Sequence, residues 1–328
     1  MASVAILYSV MADNAGMNSV THDELQVRET VHAVWSSLCQ LGHTVTPVRA
    51  VAGFCGILDA LAPDAVLNLA AGIHRKQEQA HVVGLLEMLP YPFTGSGLVA
   101  TVLALDKATA KQVWHWHGIR TPRFRVFRDV EAVVGSDMSY PLLVKPVREG
   151  SGIGIHLDSV VVDDSQLKDR VGRILHEHKQ PALVEEFIDG RELTVGVFGN
   201  DRPVVLPVME FLFDASTPHL QRIFSYEVKV ADAVTRSCPA QLTPEELIDV
   251  RSAALEAYDT LDCRDYMRID MRLTPEGVPY VLEANTLPGL QPGYSEFPRL
   301  AAIAGWDYTQ LIGDLLNFAL QRGGNSCR

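Results

Sequence analysis

At 328 residues, with 47% hydrophobic and 21% charged residues, the chain has the composition of an ordinary folded protein with room for more than one core. A formal net charge of −12 argues against a nucleic-acid partner, which would want a basic face, and no apolar run is long enough to span a membrane. Cys39, Cys55, Cys238, Cys263 and Cys327 are scattered without a C-x-x-C pair, which speaks against a disulfide framework or zinc site and for a reducing, cytoplasmic setting.

The opening Met1–Tyr8 lacks the basic stretch of a signal peptide and reads as a first strand. Residues 3–10, 43–49 and 65–69 are apolar strand candidates. Between the first two, Val27, Val31, Val34, Leu38 and Leu41 recur at helical spacing, with Gly42 placed to end the helix. Strand and helix in alternation predict a parallel sheet with covering helices, and no G-x-G-x-x-G follows the first strand to make it a dinucleotide site. Tyr91–Gly97 is a short strand with a turn.

A helix is expected from Leu105 to Gly118, carrying Lys107; a lone helical lysine usually faces solvent. The strand Tyr140–Pro146 contains Lys145 and leads into Arg148-Glu149-Gly150-Ser151-Gly152-Ile153-Gly154. Alternate glycines there allow backbone N–H groups to wrap phosphate oxygens. Asp163–Lys179 reads as a helix; its His176 and His178, like His115 and His117, lack metal-ligand spacing and read as surface or packing residues. Leu183–Ile188 and Arg191–Val197, joined by Asp189-Gly190, carry a hairpin signal. Glu185 and Glu192 on these runs are, taken singly, also compatible with exposed strand carboxylates. The stretch from Asp214 to Pro239 is polar and irregular, the composition of a long binding loop or lid. Thr243-Pro244-Glu245-Glu246 is a capping box opening a helix that presents Leu247, Val250, Ala254, Ala257 and Leu261 to the core.

Arg268-Ile269-Asp270-Met271-Arg272 and Val281–Asn285, separated by the turn cluster Thr274–Gly277, are the arms of a hairpin. Alternation puts Arg268, Asp270 and Arg272 on one side, and Glu283 and Asn285 on one side of the other arm. Two carboxylates and an amide oxygen make an oxygen-only set suited to a hard cation such as Mg2+. The same pattern also describes an amphipathic hairpin with a solvated acidic face.

R-x-D followed by E-x-N-T-x-P-G, together with V-K-P-x-R-E-G-S-G-I-G, resembles the ATP-grasp superfamily in the form carried by D-alanine–D-alanine ligases. The specific motifs run from Tyr91 to Pro298. The resemblance implies an α/β fold with an α+β C-terminal part, in three domains: 1–95 on the first-substrate side, 96–181 with the glycine-rich phosphate loop, and 182–328 with the metal and acceptor sites. ATP would lie between the second and third. By position, Lys107, Lys145, Gly150, Ser151, Gly152 and Lys229 would meet the phosphates. Glu185 and the backbone of Phe187 and Ile188 would read the adenine, and Glu192 the ribose. Asp270, Glu283 and Asn285 would hold one or two Mg2+, with Mn2+ as a substitute. Arg268, assisted by Gly289 and Ser151, would steady the reacting carboxylate, and Ser295 with Tyr294 would hold the acceptor.

The implied activity is a carboxylate–amine ligation through an acyl phosphate, on small-molecule amino acids, with dimerisation as a family expectation. Two departures point to substrates other than two D-alanines. Ser9–Asn14 stands where the family has G-G-x-S-x-E, leaving Asp23 or Glu24 as substitutes, and Val230 replaces a tyrosine at the second-substrate pocket. The alternatives are a D-alanine–D-alanine ligase proper, an ATP-grasp phosphotransferase or carboxylase, and a non-catalytic ATP-binding regulator.

Overall fold

The structure is a computed structural model that describes residues 1–10, 22–72, 78–133, 137–150 and 152–325. The first sheet is parallel, in the order β2-β1-β3, with β1 (Ser3–Tyr8) between β2 (Thr44–Arg49) and β3 (Ala65–Leu69). Parallel pairing follows from the crossover helices α1 (His22–Gln40) and α2 (Phe54–Leu61). Because β1 is covered on both faces it is apolar throughout. Val4 and Ile6 face one core, and Ala5 and Leu7 another. Gly42 ends α1 at φ 84°, with His43 N–H donating to Leu38 O at 3.0 Å. Leu41 is 44% exposed rather than core, because it falls at this turn after the last helical residue.

After α3 (Gln79–Glu87), Phe93 bridges Val66 at the edge of the first sheet. The helices α4 (Leu98–Leu105) and α5 (Lys107–Trp116) follow, α5 started by Asp106, whose carboxylate accepts from Thr109 N–H at 3.0 Å. The second sheet, antiparallel throughout, has the order β4-β7-β5-β6: β4 (Phe124–Phe127), β5 (Leu142–Pro146), β6 (Val160–Val161) and β7 (Ala182–Glu186). One face is covered by α6 (Asp164–Glu177), capped by Asp163.

The third sheet has β8 (Arg191–Phe198) at its centre, with the short β9 (Val204–Val205), β10 (Met209–Leu212) and later β11 (Thr235–Ser237) on one side. On the other side are β12 (Tyr266–Leu273) and β13 (Pro279–Asn285). The expected hairpin across Asp189-Gly190 does not form: β7 pairs in the second sheet and β8 in the third. The turn instead carries the chain between sheets, and Gly190 sits where a Cβ would lie 2.0 Å from Leu273 O. The segment from 214 to 239 is more ordered than its composition suggests. It contains a 3-10 turn at His219–Gln221, α7 (Tyr226–Val230) and β11, which pairs with β10.

Strand alternation gives the third sheet two unlike faces. Leu193, Val195, Val197, Met267, Ile269 and Met271 point to the back, against α5 and α8 (Pro244–Thr260). Trp114 is fully buried there, a burial worth about 2–3 kcal/mol. The capping box of α8 is present, with Thr243 N–H donating to Glu246 Oε2 at 2.8 Å and Glu246 N–H to Thr243 Oγ1 at 3.2 Å. Val250, Ala254, Ala257 and Leu261 are buried as expected, but Leu247 in the first turn is 37% exposed, ahead of the point where the helix meets the sheet.

The front face divides lengthwise. At one end Phe198 and Tyr266 pack beneath α9 (Glu296–Ile303) and α10 (Tyr308–Asn325), in a core shared with Val4, Ile6 and Leu67 of the first sheet. Gly196 marks the boundary, since a Cβ there would meet Leu206 at 2.8 Å and Phe297 at 3.2 Å. Beyond it, Thr194, Glu192, Asp270 and Arg272 lie uncovered by α9. Among the described residues no helix is long and apolar enough to cross a membrane.

Candidate active site

The uncovered half of that front face forms the floor of a cleft. Lys145, Leu143, Gly152 and Ile155 of the second sheet and its glycine loop line one side, and Phe211, Ile223, Phe224 and Lys229 another. Glu192, Arg268, Asp270, Leu282, Glu283 and Glu296 complete it.

The hairpin predicted from the alternation is present and in the useful register. Arg268 is opposite Asn285 and Asp270 opposite Glu283. A β-bulge follows, the register moving from Asp270↔Glu283 to Met271↔Val281. Val281 and Ala284 are both buried although three residues apart, so Leu282 and Glu283 together face the cleft. Arg268 holds Asp270 in a bidentate pair, Nε to Oδ1 at 3.1 Å and Nη2 to Oδ2 at 2.8 Å, and Thr194 Oγ1 donates to the same carboxylate at 2.6 Å. Burial alone would lower the guanidinium pKa, but the Asp270 charge overrules it and raises it, so Arg268 stays cationic.

Lys107 is buried rather than solvent-facing. Its ammonium donates to Glu149 O and lies 3.5 Å from Glu283 Oε2. Lys145 is 2.6 Å from Glu185 Oε1; burial disfavours its charge, yet Glu185 wins and raises the lysine pKa. Glu185 is itself 1% exposed, with Lys111 3.0 Å from its other oxygen. Burial would raise its carboxyl pKa, but the two lysines hold it below the ordinary value. Glu185 therefore grips two lysines behind the cleft, with Oε2 in an ion pair but not hydrogen-bonded. The Phe187 N–H is likewise engaged, donating to Pro141 O at 2.9 Å, while Ile188 is half-buried in the passage between sheets.

Glu192 lines the cleft and accepts from Phe224 N–H at 3.2 Å and Arg272 Nη1 at 3.1 Å. Burial pushes its carboxyl above the ordinary range against the pull of Arg272. Arg272 also donates to Gly190 O and Arg222 O and lies 4.8 Å from the Phe187 ring centre, tying the inter-sheet passage to the loop before α7.

In the glycine loop Gly152 and Gly154 have φ 74° and 76°. A Cβ on Gly152 would meet Tyr226 N at 3.2 Å, because Tyr226 N–H donates to Ile155 O and brings α7 onto the loop. Gly150 is exposed at the loop's start. Ser151, and the positions Met11–Asn14, lie outside the described residues, as do the side chains of Asp23 and Glu24.

Gly289 and Ser295 come together, a Cβ on the glycine reaching Ser295 Oγ at 2.7 Å, and Ser295 Oγ accepts from Gln291 N–H at 3.2 Å. Tyr294 and Val230 are not brought into the cleft; they are 42% and 68% exposed. Asn285 stands on the same hairpin, its Oδ1 accepting from Leu287 N–H at 3.1 Å.

Asp270, Glu283 and Asn285 suit a hard cation in donor type. Arg268 and Thr194 use three of the roughly four lone-pair positions of Asp270, whereas Glu283 has Lys107 at 3.5 Å and feels the charges of Lys111, Lys145 and Arg268. Among the described residues no group of three His, Cys, Asp or Glu could cage a metal. A cation here would complete its shell with water and ligand oxygens, the habit of Mg2+.

Sequence reasoning missed Lys111, Leu282, Glu296 and Arg236. Lys111 is one helical turn from Lys107 and readable as its partner on one face. Leu282 needed the bulge, betrayed only by the three-residue spacing of Val281 and Ala284. Glu296 lies 3.4 Å from Arg236 and 3.9 Å from Arg268, pairings no local pattern announces.

Residues 107–317 match the family model described as D-ala D-ala ligase C-terminus. The uncharacterized protein y4sG of Sinorhizobium fredii is 36% identical over 260 residues, 78% of this chain and 75% of that protein. The D-alanine–D-alanine ligase of Cupriavidus pinatubonensis is 37% identical over 243 residues, 73% of this chain and 71% of its own. Among solved structures, the D-alanine–D-alanine ligase of Bacillus anthracis complexed with ATP has a TM-score of 0.76 at 22% identity, covering 99% of this chain and 100% of that one. The VanG D-Ala:D-Ser ligase of Enterococcus faecalis has the same TM-score and identity, covering 97% and 99%. These two likenesses speak for the fold. With the family model spanning well over half its length and a ligase relative above 30% identity across most of both chains, the chain belongs to the D-alanine–D-alanine ligase family of ATP-grasp enzymes, ATP-dependent ligases that form a carbon–nitrogen bond.

Proposed function

We propose that the enzyme joins two D-amino acids, with D-alanine as the first and second substrate, and that ATP binds between the second and third sheets. The observation that carries this reading is the register of β12 and β13, which sets Arg268 and Asp270 against Asn285 and Glu283 in a cleft bordered by Lys145. The names of the curated relatives favour D-alanine over the other substrates suggested by the departures at Ser9–Asn14 and Val230.

In the reaction, a carboxylate oxygen of the first amino acid attacks the γ-phosphorus of ATP and the bond to the β-phosphate oxygen breaks, releasing ADP. The amine of the second attacks the acyl carbon of the acyl phosphate; the C–N bond forms, inorganic phosphate leaves, and the nitrogen loses a proton. This route depends on positioning and charge neutralisation and needs no covalent enzyme intermediate. Lys145, Lys107 and Lys229 offset phosphate charge, and Arg268, held by Asp270, stabilises the oxyanion that develops at the acyl carbon. Asp270, Glu283 and Asn285 would hold Mg2+, which when bound supplies further neutralisation of the phosphates. Ser295, beside Gly289, would hold the acceptor's carboxylate.

A second reading, another amino acid as acceptor, draws on the Glu296 carboxylate in the cleft and on Val230 lying outside it. ADP release with Mg-ATP separates the two. D-Alanine alone should sustain turnover, and turnover only with a different second amino acid would favour the second reading.

A further inference from the structure

Behind the cleft wall at Lys145 lies a second buried lysine that the chemistry above does not use. Lys111 is 0% exposed. Its Nζ donates to Thr121 Oγ1 at 2.8 Å, and Thr121 in turn donates to Val281 O at 2.8 Å, so β13 fixes the position of the ammonium. From there it lies 3.0 Å from Glu185 Oε2, an ion pair without the alignment of a hydrogen bond. The other Glu185 oxygen is 2.6 Å from Lys145 Nζ, and of the three side chains only Lys145 lines the cleft.

Desolvation pushes the Lys111 pKa down to about 8, so at pH 7 it still holds its proton, at a cost the fold must bear. A buried lysine–glutamate pair alone is neutral, and its lysine would meet an anion with its charge already compensated. Adding a second lysine on the far side of the carboxylate brings the trio to a net charge of +1, one unit more positive than the pair, in a field that Glu283 and Glu192 also shape.

We propose that Lys111 is a positioning residue that neutralises Glu185 from behind, so that Glu185 does not cancel the positive charge Lys145 turns toward the polyphosphate of the bound nucleotide. This rests on the nucleotide site described under Proposed function. Lys111 touches no substrate; it acts through Glu185.

The test is calorimetric binding of ADP and of adenosine at pH 7 to wild type, Lys111→Met and the double variant Lys111→Met/Glu185→Gln. The net charge of the trio is then +1, 0 and +1 in turn. Lys111→Met should weaken ADP binding about tenfold or more and leave adenosine, which has no phosphate, unchanged. The double variant should recover ADP affinity to within about threefold of wild type, because the charge and not the lysine is what matters. Equal losses of ADP and adenosine would mark a structural role and overturn the proposal, as would unaltered ADP binding in Lys111→Met or no recovery in the double variant. If Lys111→Met does not fold, the double variant, with fewer buried charges, decides by the same threefold criterion. Wild type that bound neither ligand would overturn the nucleotide site itself, a result distinct from wild-type-like ADP binding in Lys111→Met.

Discussion

Arg272 ties together the third sheet, the inter-sheet turn and the loop before α7. Its guanidinium bonds Glu192, Gly190 O and Arg222 O and lies against Phe187, while 4% exposed. Arg272→Ala would strand a buried carboxylate and two carbonyls. We expect a loss of about 3–5 kcal/mol, read by urea denaturation, together with weaker nucleotide binding as the passage between sheets loosens. Arg272 was legible from the sequence only as the third polar residue on one strand face. Its partners come from β8, the inter-sheet turn and the loop before α7, distances in sequence that alternation cannot see. The same holds for Lys107: helical spacing places it on α5, but only the packing of α5 behind the third sheet buries it beside Glu283. Residue types and strand parity were readable, whereas convergence was not.

At the scale of elements, local pattern served well where one element or one tight turn decides the outcome. The β12–β13 hairpin, the capping box of α8 and the end of α1 at Gly42 are of this kind. It failed at Asp189-Gly190, where a turn signal between two apolar runs cannot say whether those runs pair with each other. They do not, because β7 finds β4 and β5, and β8 finds β10 and β12. Gly190 is required for this passage: at φ 140° it has backbone of Leu273 where a side chain would be. Gly190→Ala should destabilise by about 3 kcal/mol or more, since the obstruction is backbone that pairs in the sheet and cannot turn aside. The check is the same urea titration. Wild-type stability in that variant would mean the two sheets are joined less tightly than the close approach implies.

For the whole molecule, the buried charges behind the cleft tie stability to pH. Glu185 has a folded pKa held below its ordinary 4.5 by Lys111 and Lys145, against the effect of burial. The folded state therefore binds fewer protons than the unfolded chain in acid. The stabilisation is complete above about 4.5 and is lost as pH falls through the folded value. Between the two values, wild type should lose up to about 1.4 kcal/mol per pH unit more than Lys111→Met/Glu185→Gln, which lacks the carboxylate. Denaturant unfolding from pH 5 downward measures the difference, and parallel curves would count against a charged Glu185. The second and third sheets meet at the cleft over β8, β12 and β13, and the chemistry is decided there. Its most direct test is incubation of the enzyme with Mg-ATP and D-alanine, with ADP measured and the product weighed by mass spectrometry. ADP release should require D-alanine, the product should be one water lighter than two alanines, and both should be lost in Glu283→Ala. ATP bound without any such product from D-alanine, alone or paired with other amino acids, would contradict the proposed ligation.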